Sequence, residues 1–346
     1  MQKERNELID ILKGFSILLV VLGHSVQYNQ PEEFDQNILF RFIYSFHMPL
    51  FMYLAGYVAK MSFDGATKQL VSRIRTLLLP FLSWFLVSYL FTWLINYGAQ
   101  PHLPDLGKRF LLLIQNPGRG LWFLWTLFAI YIILFVSIKI SKKHTAAILL
   151  LWYAVINILN TFINPRFGLM SISWYILFFT AGYAVRNYLI DQTKMFKYLC
   201  LPALIVFPLL TWHWSRQYTV YLNTLLVQHF SNPTNIYHHI YSVATAFSGI
   251  MASYAICGLI MKSKQNIRRL FIYPGKITLE IYATHYYFFN LLFILSAFTV
   301  NARIAVTFVS VLLFTIVAQW LIHKSRYAAF LLYGKQLTSS STKKPE

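Results

Sequence analysis

The stretch Arg5–Tyr28, RNELIDILKGFSILLVVLGHSVQY, decides what kind of chain this is. From Ile9 to Val26 it is long and apolar enough to cross a bilayer as a helix, which takes about 20 residues. It nevertheless carries Asp10, Lys13 and His24, and ionisable groups in a span are costly unless they line a cavity or a pathway. At about 100° per residue, Lys13 and His24 differ by about 20° around the axis, and Asp10 and His24 by about 40° the other way. All three therefore share a face, with Lys13 and His24 about 16 Å apart along the helix. Lys13 falls near the cytoplasmic boundary and His24 deep in the span or toward its far end. Each also has a plainer role: a snorkelling lysine, a first-turn acid and a hydrogen-bonded interhelical histidine. The run is longer than a signal-peptide core, and Gly23-His24-Ser25-Val26-Gln27-Tyr28 offers no small-residue cleavage site. It reads as a first transmembrane helix.

The rest of the chain is of the same kind. Of its 346 residues 57% are hydrophobic and 12% charged, with mean hydropathy +0.52. A soluble globular protein carries about 25% charged residues, so that class is excluded. Apolar runs place helices near 9–28, 39–59, 76–98, 121–140, 145–163, 171–188, 196–214, 240–261, 277–299 and 302–323. Runs of about 20 residues without strict alternation are helices rather than barrel strands. The expected fold is all-α and polytopic, with about ten transmembrane helices.

The chain has 30 Lys and Arg against 11 Asp and Glu, a net charge of +19. With the N-terminus inside, twenty-three of those cations fall in cytoplasmic gaps and seven on the far side. That asymmetry predicts cytoplasmic N- and C-termini. The charge is thereby read as topology in a lipid bilayer, with no nucleic acid partner. Cys200 and Cys257 lie inside apolar runs and make neither a disulfide framework nor a metal motif. Residues 1–336 form one transmembrane domain, and 337–346, rich in Ser, Thr and Lys, a disordered cytoplasmic tail.

Five motifs in order resemble the acyltransferase 3 family of membrane acyltransferases. Arg5 through Lys13-Gly14, running on to Gly23-His24, is similar to its opening: an arginine, Asp-x-Leu-(Arg/Lys)-Gly, then a histidine at the spacing of Lys13 to His24. Ser45-Phe46-His47-Met48-Pro49-Leu50-Phe51-Met52-Tyr53-Leu54-Ala55-Gly56-Tyr57 resembles the second-helix signature. Arg73-Ile74-Arg75 before Leu77-Leu78-Leu79-Pro80-Phe81 is similar to the basic motif entering the third helix, and Leu121-Trp122-Phe123-Leu124 to the fourth-helix opening. Gly275-Lys276-Ile277-Thr278-Leu279-Glu280-Ile281-Tyr282-Ala283-Thr284-His285 resembles the late segment with its own histidine. One departure stands out: the third-helix motif is often Arg-x-x-Arg, which puts Thr76 where a second arginine would stand. Arg75 lies one residue away, a change of direction of about 100°, so Arg73 is the safer transfer.

The resemblance implies a reaction: an acyl group, usually acetyl from acetyl-CoA, moves onto a carbohydrate hydroxyl. The implied acceptor is a surface polysaccharide or lipid-linked glycan at a bacterial inner membrane. Acyl-CoA is a cytoplasmic polyanion, and Lys13, Arg73 and Arg75 are expected to bind its phosphates; positive-inside topology would explain the two arginines equally well. Histidine suits removal of a hydroxyl proton near neutral pH. His24 is the expected general base, and an acyl-histidine intermediate remains an open variant. His47 precedes Met48-Pro49, where a helix break would aim it into a cavity or merely kink the chain. Glu280 and His285 lie about 140° apart around a helix. His285 is the better catalytic candidate, and Glu280 either contacts substrate or partners a buried cation.

Trp122 and Trp125, like Trp212, Trp214 and Tyr237 near His213, His238 and His239, suit either a membrane-interface belt or a sugar-stacking platform, the latter on loop 215–239. No metal motif is present. The whole scheme requires Lys13 and His24 to share one aqueous cleft. The chain ends about 23 residues after its last expected span, so transfer would finish within the membrane domain or on a partner. A transporter or flippase is the competing class. Paired Gly/Pro-interrupted segments in matching halves, its usual pointer, are not evident. A non-catalytic scaffold, third, gives no reason for the Lys13–His24 spacing.

Overall fold

The computed structural model describes residues 6–95, 104–162, 166–188, 194, 196–216, 233–289 and 299–337, and among these it is all-helical. In chain order the helices are α1 (Glu7–Asn29), α2 (Ile38–Tyr44), α3 (His47–Val58), α4 (Ala66–Arg73), α5 (Leu79–Ile95), α6 (Leu106–Gln115), α7 (Trp122–Ile140) and α8 (Thr145–Phe162). They continue as α9 (Leu169–Asn187), α10 (Leu201–His213), α11 (Pro233–Met261), α12 (Gln265–Lys276), α13 (Thr278–Phe289), α14 (Val300–His323) and α15 (Arg326–Tyr333). A π turn, Ile74–Leu78, joins α4 to α5 without interrupting the rod.

Among the described residues six helices are long and apolar enough to cross a membrane: Glu7–Asn29, Ile38–Val58, Ala66–Ile95, Trp122–Ile140, Tyr237–Met261 and Val300–His323. Each answers to an expected span. The other four expected spans have shorter or less apolar counterparts. Thr145–Asn160 and Tyr198–His213 are shorter apolar helices. α9 is interspersed with Ser171, Ser173, Thr180 and Arg186 and packs inward along Trp174, Phe178 and Phe179. The expected span 277–299 is described only as α13, since 290–298 lie outside the described residues, as does most of the expected tail, 338–346.

Burial sorts the long helices. Two-thirds of the α1 span is buried, against 17% for Ala66–Ile95 and 22% for α14. α1 and the Ile38–Val58 span, equally buried, thus form the interior of the bundle. Asn6 starts α1 by accepting hydrogen bonds from the Leu8 and Ile9 N–H groups at 3.1 and 3.3 Å, satisfying donors that a helix start leaves orphaned. The outer helices display Leu86, Leu90, Leu94, Val309, Leu313 and Val317, an apolar surface fit for lipid and not for water.

Two glycine crossings lock the bundle. A Cβ on Gly14 would sit 1.8 Å from the Phe271 carbonyl oxygen, and one on Gly275 1.9 Å from that of Asp10, so α1 and α12 touch backbone to backbone. Gly56 and Gly182 do the same for α3 and α9, at 2.0 Å from the Phe179 and 1.9 Å from the Tyr53 carbonyl oxygens. Small residues permit such approaches between apolar helices, where packing replaces hydrophobic drive. The first crossing brings Lys13 and Lys276 to one cavity wall.

Candidate active site

α1 and α13 carry the groups around which the site is built. His24 and His285 face each other with ring centroids 5.4 Å apart. His285 is 2% exposed, and its Nδ1–H donates to the Ile281 carbonyl at 2.8 Å. A carbonyl only accepts, so the neutral ring keeps its lone pair on Nε2, an atom with no hydrogen-bond partner among the described residues. His24 is oriented in the same sense: its Nδ1 lies 2.7 Å from Gln27 Oε1, which also accepts from the Tyr44 hydroxyl at 2.6 Å. Gly23 makes room for that tyrosine, since a Cβ there would stand 2.7 Å from the Tyr44 ring. Both imidazoles thus have Nδ1 engaged and Nε2 as the basic nitrogen.

The pair lines one of two neighbouring cavities. The outer, about 640 Å³, is lined by His24, His285, Ser88, Thr92, Trp122, Tyr286 and other aromatic rings. The inner, about 340 Å³, is lined by Lys13, Arg73, Lys276, Lys335 and Glu280 above an apolar floor. Tyr282 belongs to both walls. Its ring lies 6.3 Å from that of His285, and its hydroxyl oxygen accepts the Phe123 N–H at 3.2 Å, near the start of α7. Where the sequence led us to expect one cleft holding Lys13 and His24, there are two adjoining chambers with a tyrosine in the wall between. The angular argument for α13 fits this arrangement: Glu280 meets the inner chamber and His285 the outer.

The remaining candidates fall as follows. The Arg73 guanidinium lies 4.3 Å from the centre of the Tyr131 ring in the inner wall, a cation–π contact that orients its fork. Arg75 lines neither chamber. It sits in the π turn, and its carbonyl packs against Gly334. The chain does break before His47, between Tyr44 and a new helix, but Pro49 is not the break. It occupies the first turn of α3, where a missing N–H costs nothing. His47 is 3% exposed, bonded through Nδ1 to the Ile43 carbonyl at 2.8 Å, and lines neither chamber.

Trp122 stacks on Tyr175 at 5.2 Å in the outer wall, whereas Trp125 donates to the Phe167 carbonyl at 2.8 Å. His239 is buried against Trp174 and Tyr153. Most of the expected sugar platform, 217–232, lies outside the described residues. Among the described residues, no group of three or more His, Cys, Asp or Glu is placed to hold a metal ion.

Four participants were not singled out from sequence. Gln27, three residues after His24, shares its helix face and was legible in principle. Tyr282 lies inside the quoted late motif, three residues before His285. Lys276 also lies inside that motif, and Lys335 falls in the basic C-terminal segment.

A family model described as an acyltransferase domain matches residues 6–323. The nodulation protein NolL of Sinorhizobium fredii (strain NBRC 101917 / NGR234) is 30% identical over 149 residues, 40% of this chain and 39% of the relative. NolL of Mesorhizobium japonicum (strain LMG 29417 / CECT 9101 / MAFF 303099) is 31% identical over 130 residues, 36% of this chain and 34% of the relative. The chain thus spans between a third and two-fifths of the length of these curated relatives. No solved structure matches it.

Proposed function

The chain belongs to the acyltransferase 3 family, and from that premise we propose that it is a multi-pass O-acyltransferase of a bacterial inner membrane, with ten spans and both termini cytoplasmic. It takes an acyl group, acetyl in the first instance, from cytoplasmic acetyl-CoA and transfers it to a hydroxyl of a cell-surface polysaccharide or lipid-linked glycan. One observation carries this reading: a cation-lined chamber and a histidine-bearing chamber adjoin at Tyr282. The donor's phosphates belong with Lys13, Arg73 and Lys276, because a desolvated phosphate needs charge-assisted partners. The thioester on its extended arm then reaches toward Tyr282, and the acceptor sugar enters the outer chamber.

The proposed chemistry balances with one base. His24 Nε2 takes the hydroxyl proton as the oxygen attacks the thioester carbonyl. The carbon–oxygen bond forms, the carbon–sulfur bond breaks, and the same imidazolium returns its proton to the departing thiolate. Tyr282 has its oxygen held by the Phe123 N–H and keeps its own proton to offer to the carbonyl as negative charge develops there. His285, packed beside His24, presents a second lone pair to a neighbouring hydroxyl of the acceptor sugar.

Purified protein given isotopically labelled acetyl-CoA and a glycan acceptor tests the reading. Label on the glycan, with one free thiol per acetyl transferred, is expected. Movement of glycan across a vesicle membrane without thioester consumption would instead mark a transporter. Mass spectrometry of surface glycans with and without the protein identifies the sugar.

A further inference from the structure

Beyond α14 the chain turns back and runs as α15 along α5. Trp84 of α5 donates its indole N–H to the Leu332 carbonyl at 2.9 Å, and Tyr333 stacks on His323 at 5.5 Å. Gly334 then adopts φ 64, a left-handed conformation that favours glycine. A Cβ there would also lie 2.3 Å from the Arg75 carbonyl oxygen. This turn delivers Lys335 to the inner chamber, its Nζ 2.7 Å from Oε1 of Glu280. Glu280 is 2% exposed, and His323 Nε2 stands 3.8 Å from the same oxygen.

Burying a carboxylate against a lysine that stays half exposed is an expensive arrangement, because the desolvation of Glu280 opposes their attraction. A lysine needed only for topology would sit in water with no such partner. Lys13, Arg73, Lys276 and Lys335 put four positive charges in this wall against the one negative charge of Glu280. A wall with several cations suits a ligand carrying several negative charges. The first three cations come from α1, α4 and α12, and the fourth closes the chamber from the C-terminal side.

We propose that the C-terminal strap, 326–335, is part of the donor site. Lys335 binds phosphate of a polyanionic acyl donor, and Glu280 is the positioning residue that holds its ammonium over the chamber. This rests on the donor reading above and adds to it a residue and a segment. Lys335→Gln is expected to raise the Kd for coenzyme A and the KM for acetyl-CoA about tenfold or more. Lys335→Arg should restore both to within about threefold. Turnover of S-acetylpantetheine, which brings no phosphate, should be unchanged in Lys335→Gln. Glu280→Gln should weaken coenzyme A binding without lowering kcat at saturating donor.

Equal coenzyme A affinity in wild type and Lys335→Gln overturns the proposal and leaves the enzyme reading intact. So does an equal loss of acetyl-CoA and S-acetylpantetheine turnover, which would mark a purely structural lysine. Tighter coenzyme A binding by Glu280→Gln overturns the positioning role. A wild-type protein that neither binds coenzyme A nor transfers acetyl overturns this proposal and the donor reading together.

Discussion

The inner chamber, about 340 Å³, presents four cations and one carboxylate; the outer, about 640 Å³, has no Lys, Arg, Asp or Glu among the described residues that line it. In place of charge the outer chamber has two imidazoles, the hydroxyls of Ser88 and Thr92, and aromatic faces such as Trp84 and Trp122. This difference sorts ligands by the cost of desolvation. A phosphate moved into the outer chamber would lose its hydration and find no lysine or arginine to replace it. An uncharged sugar ring loses little there, since aromatic faces and neutral hydrogen-bonding groups suit it. Under the proposed reading it is the acyl end of the donor, neutral and narrow, that passes from one environment to the other beside Tyr282, which lines both.

The comparison breaks most completely if the histidine chamber turns out to be dispensable. His24→Ala is expected to lower acyl transfer by about 10²–10⁴-fold, the range that a positioned general base supplies. Coenzyme A affinity should remain that of the wild type, because His24 does not line the inner chamber. Single-turnover kinetics on protein that elutes as a monodisperse species checks both halves. A coenzyme A Kd that rises with the loss of rate would mean that the two chambers are energetically one.

Tyr282→Phe should have a smaller effect, about a ten- to hundredfold fall in kcat with donor KM unchanged. It removes a hydroxyl proton but leaves the Phe123 N–H free to take over part of its role. Wild-type kcat in this variant would reduce Tyr282 to a partition. A rise in KM alone would place it in donor binding instead.

What could be read in advance was the first helix. Lys13 and His24 stand out in a run of apolar residues, and helical periodicity alone puts them on one side; both do line chambers. What could not be read was the separation between the chambers, because Tyr282 comes from a helix more than two hundred residues away in sequence. Lys276 and Lys335 were hidden by the very rule that gave the topology, since a cytoplasmic cation in a site and one in water look alike in sequence. Gly14 and Gly275 were equally silent, as each takes its meaning from the backbone of the other's helix. The count of ten spans rested on apolar length. Among the described residues six helices meet that standard, while α8 and α10 are shorter, α9 carries polar side chains, and the span 277–299 is described only in part.

The finest test compares two arginines two residues apart. Arg73 lines the inner chamber and lies over the Tyr131 ring, whereas Arg75 lines neither chamber and has its carbonyl against Gly334. The π turn that begins at Ile74 separates them, and of the two only Arg73 lines the inner chamber. A hydrogen bond to a charged partner contributes about 1.5–3 kcal/mol, or about a ten- to hundredfold change in affinity. Arg73→Ala should accordingly raise donor KM by at least about tenfold while kcat at saturating donor holds. Arg75→Ala should stay within about twofold on both, with any cost appearing as lower thermal stability where the strap meets α5. Steady-state kinetics at varied acetyl-CoA separates the outcomes. Equal KM effects from the two variants would show that the cations of this face act through their summed field and not through contact.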